Sequence, residues 1–285
     1  MPDPVAHGRF PRGRLLVVGT PIGNLGDLSP RGAEALRGAD LIVAEDTRLA
    51  ARLLAHLDAR RPTLSFNEHN ATGRLPELLS RLAAGETLAL TTDAGMPGVS
   101  DPGALLVAAA RTSGASVEVV PGPSAVTAAV ALAGVESGGF LFGGFLPARP
   151  AATRQTRLQE LVNASGGLGL PLVLFEAPHR VVDLLRRIEA AAPEAQVAAS
   201  REITKRHEET LVGTAAELGA QLTELRGEFT LVLSGLRAPS GHGADVGSLL
   251  SVARRLGLSD RDAVEILRAA GVPRRDAYRM VQVRQ

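Results

Sequence analysis

The sequence predicts an α/β protein with two domains and a small helical C-terminal extension. In the first half of the chain, short apolar runs rich in β-branched residues alternate with Ala/Leu/Arg-rich helical patterns. This alternation is typical of a parallel sheet covered by helices on both faces. A stiff stretch at Pro147–Pro150 then separates a second set of strand patterns. After a Gly/Pro/Ser-rich connector at Arg237–Gly247, the remaining apolar spacing is helical.

The first domain is expected over residues 14–147, after a flexible N-terminus at 1–13. Apolar and β-branched residues predict strands at Arg14–Gly19, Leu41–Asp46, Thr87–Asp93, Val117–Gly122 and Phe140–Leu146. Helical spacing predicts helices at Arg31–Arg37, Arg48–His56, Arg74–Ala84, Gly103–Thr112 and Ser124–Ala133. Ligands bind outside the carboxyl ends of the strands in such sheets, so the loops that follow these strands form the candidate site.

The second domain, expected over residues 151–236, has a less regular pattern that predicts a smaller mixed sheet with helices. Its strands are predicted at Pro171–Glu176, Gln196–Ile203, Thr210–Val212 and Phe229–Gly235, and a helix at Arg180–Ala192. The second and third of these strands are close enough in sequence to pair with each other.

The extension at 248–285 is predicted to form three helices, at Ser248–Leu256, Asp260–Ala269 and Arg274–Val283. Ser259 and Asp260 supply N-cap chemistry, and Gly271 separates the last two helices. Eight arginines and four acidic residues give this segment a local net charge of +4. Two interpretations stay open: the helices contact a phosphate backbone, or they form a solvated appendage.

Composition excludes several classes of protein. The net charge of the 285 residues is only +1, so any contact with nucleic acid must come from local patches. The absence of cysteine excludes disulfides and thiol nucleophiles, and the six histidines lack zinc-ligand spacing, so no metal site is expected. The N-terminus lacks the apolar stretch of a signal peptide, and no apolar run is long enough to cross a bilayer. We therefore expect a cytoplasmic protein.

Two glycine-rich loops follow predicted strands of the first domain. Gly19–Leu25 (GTPIGNL) would admit a ligand close to the backbone, but it lacks the fingerprints of dinucleotide and nucleoside triphosphate sites. Thr91–Gly103 is a long, rigid loop that contains Asp93 and Asp101. Asp93 is placed to accept ribose hydroxyls or to hold an ammonium group. Asp101 has either a chemical role or the structural role of an N-cap before Pro102.

Polar and charged residues also follow other predicted strands, where they are costly unless solvated or used. They lie in Glu45–Arg48, Asn67–Asn70 and Phe175–Arg180, and Val120–Ala125 adds the amides of a helix start. Arg201–Glu209 contains eight polar or charged residues out of nine, together with the only lysine of the chain, Lys205. This segment is either an exposed turn or a site that requires an amine rather than a guanidinium.

Eight short motifs, in order over residues 14–236, resemble the tetrapyrrole-methylase superfamily. Within it they resemble the branch that methylates a cytidine 2′-hydroxyl of small-subunit ribosomal RNA. Each motif is weak alone, but eight in register are specific. The motifs are GTPIGNL at 19–25, AEDTR at 44–48, EHN at 68–70, TDAGMPGVSDPG at 92–103, PGPSA at 121–125, GGFLP at 143–147, FEAPHR at 175–180 and RE-TK at 201–205.

The resemblance implies a two-domain tetrapyrrole-methylase-like fold with S-adenosylmethionine bound in the cleft between the domains. It also implies a homodimer that acts on 16S rRNA within the 30S subunit. Met96 stands where these enzymes often have threonine, and Gly98–Ser100 replaces a more apolar stretch; neither departure is expected to abolish binding. Carried over by motif, the cofactor contacts are expected at Ile22, Asp93, Ala94, Gly95, Met96, Ser124, Ala125, Glu176, Ile203 and Thr230.

The implied reaction is an in-line transfer of a sulfonium methyl group to a ribose oxygen, in which alignment of donor and acceptor contributes most of the catalysis. A base, or a cation near the developing alkoxide, would assist because a 2′-hydroxyl is a poor nucleophile. The candidates are Lys205, which we favour, and Asp101, Glu45 and His69. The residues expected to contact RNA phosphates are Arg48, Arg180 and Arg201.

Three alternatives compete with this hypothesis. The nearest is another enzyme of the superfamily, which methylates a precorrin-type or uroporphyrinogen-type tetrapyrrole or forms diphthine. A second is a nucleic-acid-binding module that uses the C-terminal helices as a helix–turn–helix, but the weak net charge and 3% aromatic content count against it. A third is a Rossmann-type oxidoreductase, which the missing glycine fingerprint disfavours.

Overall fold

The computed structural model describes residues 13–98, 103–222, 226–237 and 246–282. By its internal contacts the chain divides into a first unit, Met1–Ala125, and a second unit, Val126–Gln285. Each unit contains one five-stranded sheet and its own hydrophobic core. The predicted α/β class is therefore confirmed in both halves of the chain.

The sheet of the first unit is parallel throughout, as the near-continuous apolar strands predicted. Its spatial order is β3-β2-β4-β1-β5. The central strand β1 pairs with β4 at Leu15 and Leu88, and with β5 at Leu15 and Val117. The strands are β1 Arg14–Val18, β2 Leu41–Ala44, β3 Thr63–Ser65, β4 Thr87–Thr91 and β5 Ser116–Val120.

Alternate residues of β1 enter separate cores on the two faces of this sheet. Leu15 and Val17 belong to one buried cluster, and Leu16 and Val18 belong to the other. Helices complete both clusters and shield the inner strands β1, β2 and β4 from water, and the carboxyl ends of the strands are left to carry the polar residues. The helices that follow the five strands are α1 Pro30–Gly38, α2 Thr47–His56, α3 Ala71–Ala83, α4 Gly103–Thr112 and α5 Ala125–Ala133.

The sheet of the second unit is mixed, as predicted, with the order β6-β7-β10-β8-β9. Only β6 and β7 run parallel; the other neighbours are antiparallel. The predicted strand pair is confirmed as β8 and β9. The strands are β6 Leu141–Phe145, β7 Leu172–Glu176, β8 Gln196–Arg201, β9 Glu209–Thr214 and β10 Phe229–Ser234.

Three helices cover the core of this second sheet: α6 Ala151–Leu168, α7 Val181–Ala191 and α8 Ala215–Gln221. The sequence patterns predicted only α7. Leu158, Leu161 and Ser165 of α6 are buried at helical spacing, but the polar residues between them obscure the apolar stripe. The helix α8 begins with a capping box formed by Thr214 and Glu217.

The C-terminal extension forms three helices, as predicted: α9 Val246–Arg255, α10 Asp260–Ala269 and α11 Arg274–Gln282. The side chain of Ser259 caps α10 by accepting a hydrogen bond from the backbone of Asp262. A separate buried cluster holds the three helices together, and Leu168 of α6 packs against it. The extension is therefore packed against α6 within the second unit.

The strand β6 was expected to end the first domain, and the structure corrects this expectation. Leu141–Phe145 pairs with Leu172–Glu176, so β6 is the edge strand of the second sheet. The division by contacts accordingly follows Ala125 and does not fall at Pro147–Pro150. The short strand β3 was also not predicted, because its three residues form only one edge of the parallel sheet. No helix in the described ranges has the length and hydropathy needed to span a membrane.

Candidate functional site

The loops after β1 and β4 are joined by backbone hydrogen bonds at the carboxyl edge of the first sheet. The amide of Thr20 donates to the carbonyl of Gly95 at 2.9 Å, and the amide of Gly95 donates to the carbonyl of Thr20 at 3.2 Å. The Thr20 hydroxyl also donates to the carbonyl of Thr92 at 3.2 Å. Thr20 is buried, so these contacts fix the position of both loops.

The loop after β5 meets the loop after β1 at two glycines. A β-carbon on Gly19 would lie 2.6 Å from the α-carbon of Gly122 and 2.6 Å from the sulfur of Met96. A β-carbon on Gly122 would lie 2.6 Å from the carbonyl oxygen of Gly19. Only glycine permits this approach of two backbones. The motifs GTPIGNL and PGPSA therefore contain these glycines for a close contact between loops.

Ile22 and Gly95 are neighbours in this cluster of loops. A β-carbon on Gly95 would lie 3.4 Å from the Cγ2 of Ile22 and 3.5 Å from the carbonyl oxygen of Pro123. Gly95 has a φ of +82°, which L side chains rarely adopt. The structure thus brings together Ile22, Gly95 and Met96, three residues predicted to contact the cofactor. Their role in binding stays a prediction.

Replacing Gly122 with alanine is expected to lower the stability of the first unit by about 1–3 kcal/mol, because the added methyl overlaps the Gly19 backbone. The melting temperature, measured by circular dichroism, would fall by roughly 2–4 °C per kcal/mol. Gly73→Ala is the matched control: this glycine lies within α3 and has open space around its β-position. The control should be neutral or stabilising, and an equal melting temperature for Gly122→Ala and wild type would contradict the prediction.

Carboxylates join the ends of β2 and β4. The backbone amide of Asp46 donates to the Oδ1 of Asp93 at 3.0 Å, and the hydroxyl of Thr92 donates to the Oε2 of Glu45 at 2.9 Å. Both Asp93 and Ala94 are exposed at this edge. Glu45 and Asp93, two predicted site residues from different strands, are therefore placed within one small group of loops.

Asp46 caps α2 and also pairs with Arg48. Its Oδ1 accepts from the Arg48 amide at 2.8 Å, and its Oδ2 accepts from the Arg48 guanidinium at 2.5 Å. The guanidinium lowers the pKa of Asp46 to about 2, chiefly through the side-chain hydrogen bond. The pair is therefore intact at neutral pH and is lost only as the pH falls through that value. The Arg48 side chain is 86% exposed, so it can reach a ligand in solution.

At the end of β3, two asparagines hold a tight turn. The side-chain amides of Asn67 and Asn70 both donate to the hydroxyl of Ser65, at 3.2 Å and 3.0 Å. The amide of His69 donates to the side-chain oxygen of Asn67 at 3.1 Å, and the His69 side chain is exposed. The two asparagines therefore have a structural role, and the turn presents His69 and Glu68 to solvent.

In the second unit, Glu176 is fully buried at the end of β7 and forms a buried ion pair with Arg154 of α6. Its Oε1 also lies 2.8 Å from the Nε of Arg180 and accepts a hydrogen bond from the amide of Ala177 at 2.9 Å. Arg154 is 2% exposed, and its Nε lies 3.4 Å from the Oδ2 of Asp183. The carboxylate of Glu176, expected to contact the cofactor, is thus occupied by two guanidinium groups, which leaves its backbone for that role.

The Arg154–Glu176 pair was missed by sequence reasoning. The only available signal was Arg154 itself, which stands four residues before Leu158 and seven before Leu161 on the buried face of α6. A charged residue on an apolar face requires a buried counter-charge. The sequence does not reveal that Glu176 supplies it, because the two residues come together only through the packing of α6 on the second sheet.

The other predicted cofactor residues of the second unit lie at the same end of its sheet. Phe229 is in register with both Glu176 and Arg201, and Thr230 is the next residue along β10. Thr230 and Ile203 are 4% and 8% exposed. Their side chains are thus largely covered, and any contact with a ligand would be made by a small part of each residue.

Arg201 is 9% exposed, and its Nε donates to the Oε2 of Glu209 at 2.7 Å. Arg180 is likewise engaged with Glu176. Both arginines were expected to contact RNA phosphates. In the structure each guanidinium neutralises a carboxylate, and the contact with RNA stays a prediction for both residues.

Lys205 lies in a strained turn that follows β8. Glu202 and Thr204 both have positive φ angles, +52° and +67°, which are uncommon for residues other than glycine. The Nζ of Lys205 donates to the Oε1 of Glu202 at 2.8 Å, and the lysine side chain is 37% exposed. The Glu202 carboxylate fills the space beside Gly227, where a β-carbon would lie 2.0 Å from it. Strain of this kind is concentrated at functional sites.

Three predicted site residues remain to be placed. Asp101 lies outside the residues that the structure describes. Ser124 and Ala125 lie at the start of α5, and their contact with the cofactor stays a prediction. Within the described part of the chain, no group of three His, Cys, Asp or Glu residues is arranged to hold a metal ion.

Known proteins share both the sequence and the fold. The sequence profile of the Tetrapyrrole (Corrin/Porphyrin) Methylases matches residues 14–219. The chain is 44% identical over 228 residues to the Ribosomal RNA small subunit methyltransferase I of Xylella fastidiosa strain Temecula1, which covers 78% of this chain and 82% of that protein. A protein of the same name from Thermotoga maritima is 41% identical over 225 residues, which covers 78% of this chain and 99% of that protein.

Two solved structures have the same fold at low sequence identity. Diphthine synthase has a TM-score of 0.62 at 17% identity, covering 78% of this chain and 90% of that chain. The uroporphyrin-III C-methyl transferase of Thermus thermophilus, complexed with S-adenyl homocysteine, has a TM-score of 0.55 at 18% identity, covering 78% and 97%. These likenesses confirm the predicted fold. Together with the family profile and the relatives above 40% identity, they show that the chain belongs to the tetrapyrrole (corrin/porphyrin) methylase family of enzymes.

Proposed function

We propose that the protein transfers the methyl group of S-adenosylmethionine to the ribose 2′-oxygen of a cytidine in 16S rRNA, with the 30S subunit as its substrate. The observation that carries this proposal is the close similarity to relatives named for methylation of small-subunit ribosomal RNA. The similarity extends over the loops of both sheets that the structure places at strand ends. We also infer that the protein is a homodimer and that it acts in the cytoplasm. Sedimentation velocity of the purified protein would test the dimer.

The loops of the first unit suit the chemistry of S-adenosylmethionine. This ligand presents ribose hydroxyls, an adenine edge and a charged amino-acid group. The exposed edge at Asp93 offers a carboxylate to the hydroxyls or the ammonium, and the glycines at 19, 95 and 122 allow close approach to backbone groups. We propose contacts from Ile22, Asp93, Ala94, Gly95, Met96, Ser124 and Ala125, and from Glu176, Ile203 and Thr230 of the second unit.

When bound, S-adenosylmethionine supplies an electrophilic methyl group, so the protein has to align the ribose and stabilise charge on its oxygen. We assign that stabilisation to Lys205. Its amine donates to Glu202 at 2.8 Å, which orients it and suits a cationic role better than that of a base. The positive φ angles of Glu202 and Thr204 cost free energy, so the turn is held in this conformation by the contacts around it.

The remaining catalytic candidates have weaker support. The carboxylate of Glu45 accepts a hydrogen bond from Thr92, and this contact suits a positioning role. His69 is exposed on its turn and stays a candidate for contact with RNA or for proton transfer. Among the arginines, Arg48 is the best candidate for a phosphate contact because its side chain is 86% exposed.

Incubation of the protein with 30S subunits and methyl-labelled S-adenosylmethionine tests the proposal directly. The expected result is label in 16S rRNA that co-elutes with 2′-O-methylcytidine after digestion to nucleosides. Parallel reactions should contain 50S subunits, protein-free 16S rRNA or uroporphyrinogen III. Label on a base, or label only on the tetrapyrrole, would overturn the proposal in favour of another member of the superfamily.

A further inference from the structure

The last helix of the chain carries a basic face opposite its buried face. Ala277 and Val281 are buried in the cluster that joins α9, α10 and α11. Arg275 and Arg279 are exposed one turn apart on the side of α11 away from these residues, Arg274 and Tyr278 are exposed beside them, and the acidic Asp276 is partly buried. We call the exposed set Arg274, Arg275, Tyr278 and Arg279 the α11 basic face.

The arginines of this face have no acidic partners in the described part of the chain. Unlike Arg255 of α9, which pairs with Glu160 at 3.1 Å, none of the three has a carboxylate within ion-pair distance there. Arg275 and Arg279 are separated by one helical turn, where like charges repel. A face that concentrates positive charge at a cost to its own helix is suited to an anionic ligand.

Tyr278 adds an aromatic group to the charge. It is the only tyrosine of the chain, it is 44% exposed, and the Cζ of Arg274 lies 5.9 Å from the centre of its ring. Arginine and an exposed aromatic ring together are the side chains that bind phosphates and stack on unpaired bases. Because only 3% of the residues are aromatic, an exposed ring beside these arginines indicates a binding role.

The connection between α10 and α11 also resembles that of a nucleic-acid-binding motif. The two helices are joined by Ala270–Pro273, a four-residue turn in which Gly271 has a φ of +87°. A short glycine-containing turn of this kind connects the two helices of a helix–turn–helix motif, whose second helix faces nucleic acid. The buried residues of α10, including Leu267, belong to the cluster against which Leu168 of α6 packs, and this contact fixes the two helices in place.

The extension varies among relatives of the same name. The Thermotoga relative is matched over 99% of its own length but only 78% of this chain, and the family profile ends at residue 219. A relative from Mesorhizobium japonicum is matched over 270 residues, 93% of this chain, so at least part of the extension has a counterpart there. A segment that varies in this way is suited to a role separate from the chemistry of methyl transfer.

We propose that the α11 basic face is an RNA-docking surface, in which Arg274, Arg275 and Arg279 bind phosphates and Tyr278 stacks on an unpaired base. The inference rests on the proposed function, because the RNA it would hold is the ribosomal substrate. A second copy of this chain is a poorer occupant, since two faces of the same charge repel each other.

The test compares full-length wild type with Arg275→Glu/Arg279→Glu and with Tyr278→Ala. Binding to 30S subunits is measured by filter retention at several salt concentrations. The charge reversal is expected to weaken binding by about 10–100-fold and to reduce the salt slope by roughly one per phosphate contact. Tyr278→Ala is expected to weaken binding by about tenfold with little change in the slope.

The matched control is Arg111→Glu/Arg186→Glu, which changes the net charge equally at exposed positions on α4 and α7. In methylation assays the α11 variants should raise KM for 30S subunits and leave kcat, the affinity for S-adenosylmethionine and the melting temperature unchanged. Binding and KM equal to those of the control would overturn the inference. Loss of self-association in the α11 variants alone would assign the face to a protein interface instead. Failure of wild type to methylate 30S subunits would count against the proposed function itself.

Discussion

Replacement of Glu176 by glutamine is expected to lower the free energy of unfolding of the second unit by about 3–5 kcal/mol. The substitution keeps the size of the side chain but removes the charge that neutralises Arg154, which is 2% exposed on α6. A buried guanidinium without its carboxylate retains the full cost of its removal from water. The carboxylate of Asp183, 3.4 Å from Arg154 but half exposed, is a weak substitute.

The melting temperature would fall by roughly 6–20 °C for a loss of this size. The double variant Arg154→Met/Glu176→Gln should recover most of the stability, since it removes both buried charges. Glu118→Gln is the matched control. Glu118 pairs with Arg14 at 2.9 Å, but both side chains are about half exposed, so this change should cost less than about 1 kcal/mol. A Glu176→Gln variant as stable as Glu118→Gln would show that the buried pair contributes little.

The parallel sheet of the first unit could be predicted because its apolar strands and their connecting helices are encoded locally. The location of the loop cluster followed from the same pattern, since parallel strands place their carboxyl ends at one edge. Contacts between the loops were harder to predict from the sequence. The glycine in GTPIGNL indicated a close approach, but the sequence does not specify that Gly122 is its partner.

In the second unit, the sequence does not reveal burial that depends on tertiary packing. The packing of β8 covers Arg201, and Glu209 pairs with it, while its contact with RNA stays a prediction. The strand β6 was assigned to the first domain from its position in the chain, while its partner β7 lies beyond the eighteen-residue helix α6. Pairing across such an intervening helix is not encoded in either strand alone.

Lys205→Met is expected to reduce the single-turnover rate of methyl transfer to 30S subunits by about 10²–10³-fold, on the proposal that the ammonium stabilises the developing alkoxide. Methionine preserves most of the length of the side chain and removes only the charge. The affinity for S-adenosylmethionine, measured by calorimetry, should not change, because the proposed role concerns the ribose oxygen. Arg206→Met is the matched control, since Arg206 is the adjacent exposed cation in the same turn.

Lys205→Arg separates the two possible roles of this residue. Arginine remains charged and cannot act as a base, so partial recovery of the rate relative to Lys205→Met would support a cation, and no recovery would favour a base. A wild-type rate for Lys205→Met would exclude both roles. His69 and Glu45 would then be the remaining catalytic candidates among the described residues. The ion pair with Glu202 makes recovery the expected result: the carboxylate that orients the amine at 2.8 Å can also accept hydrogen bonds from a guanidinium.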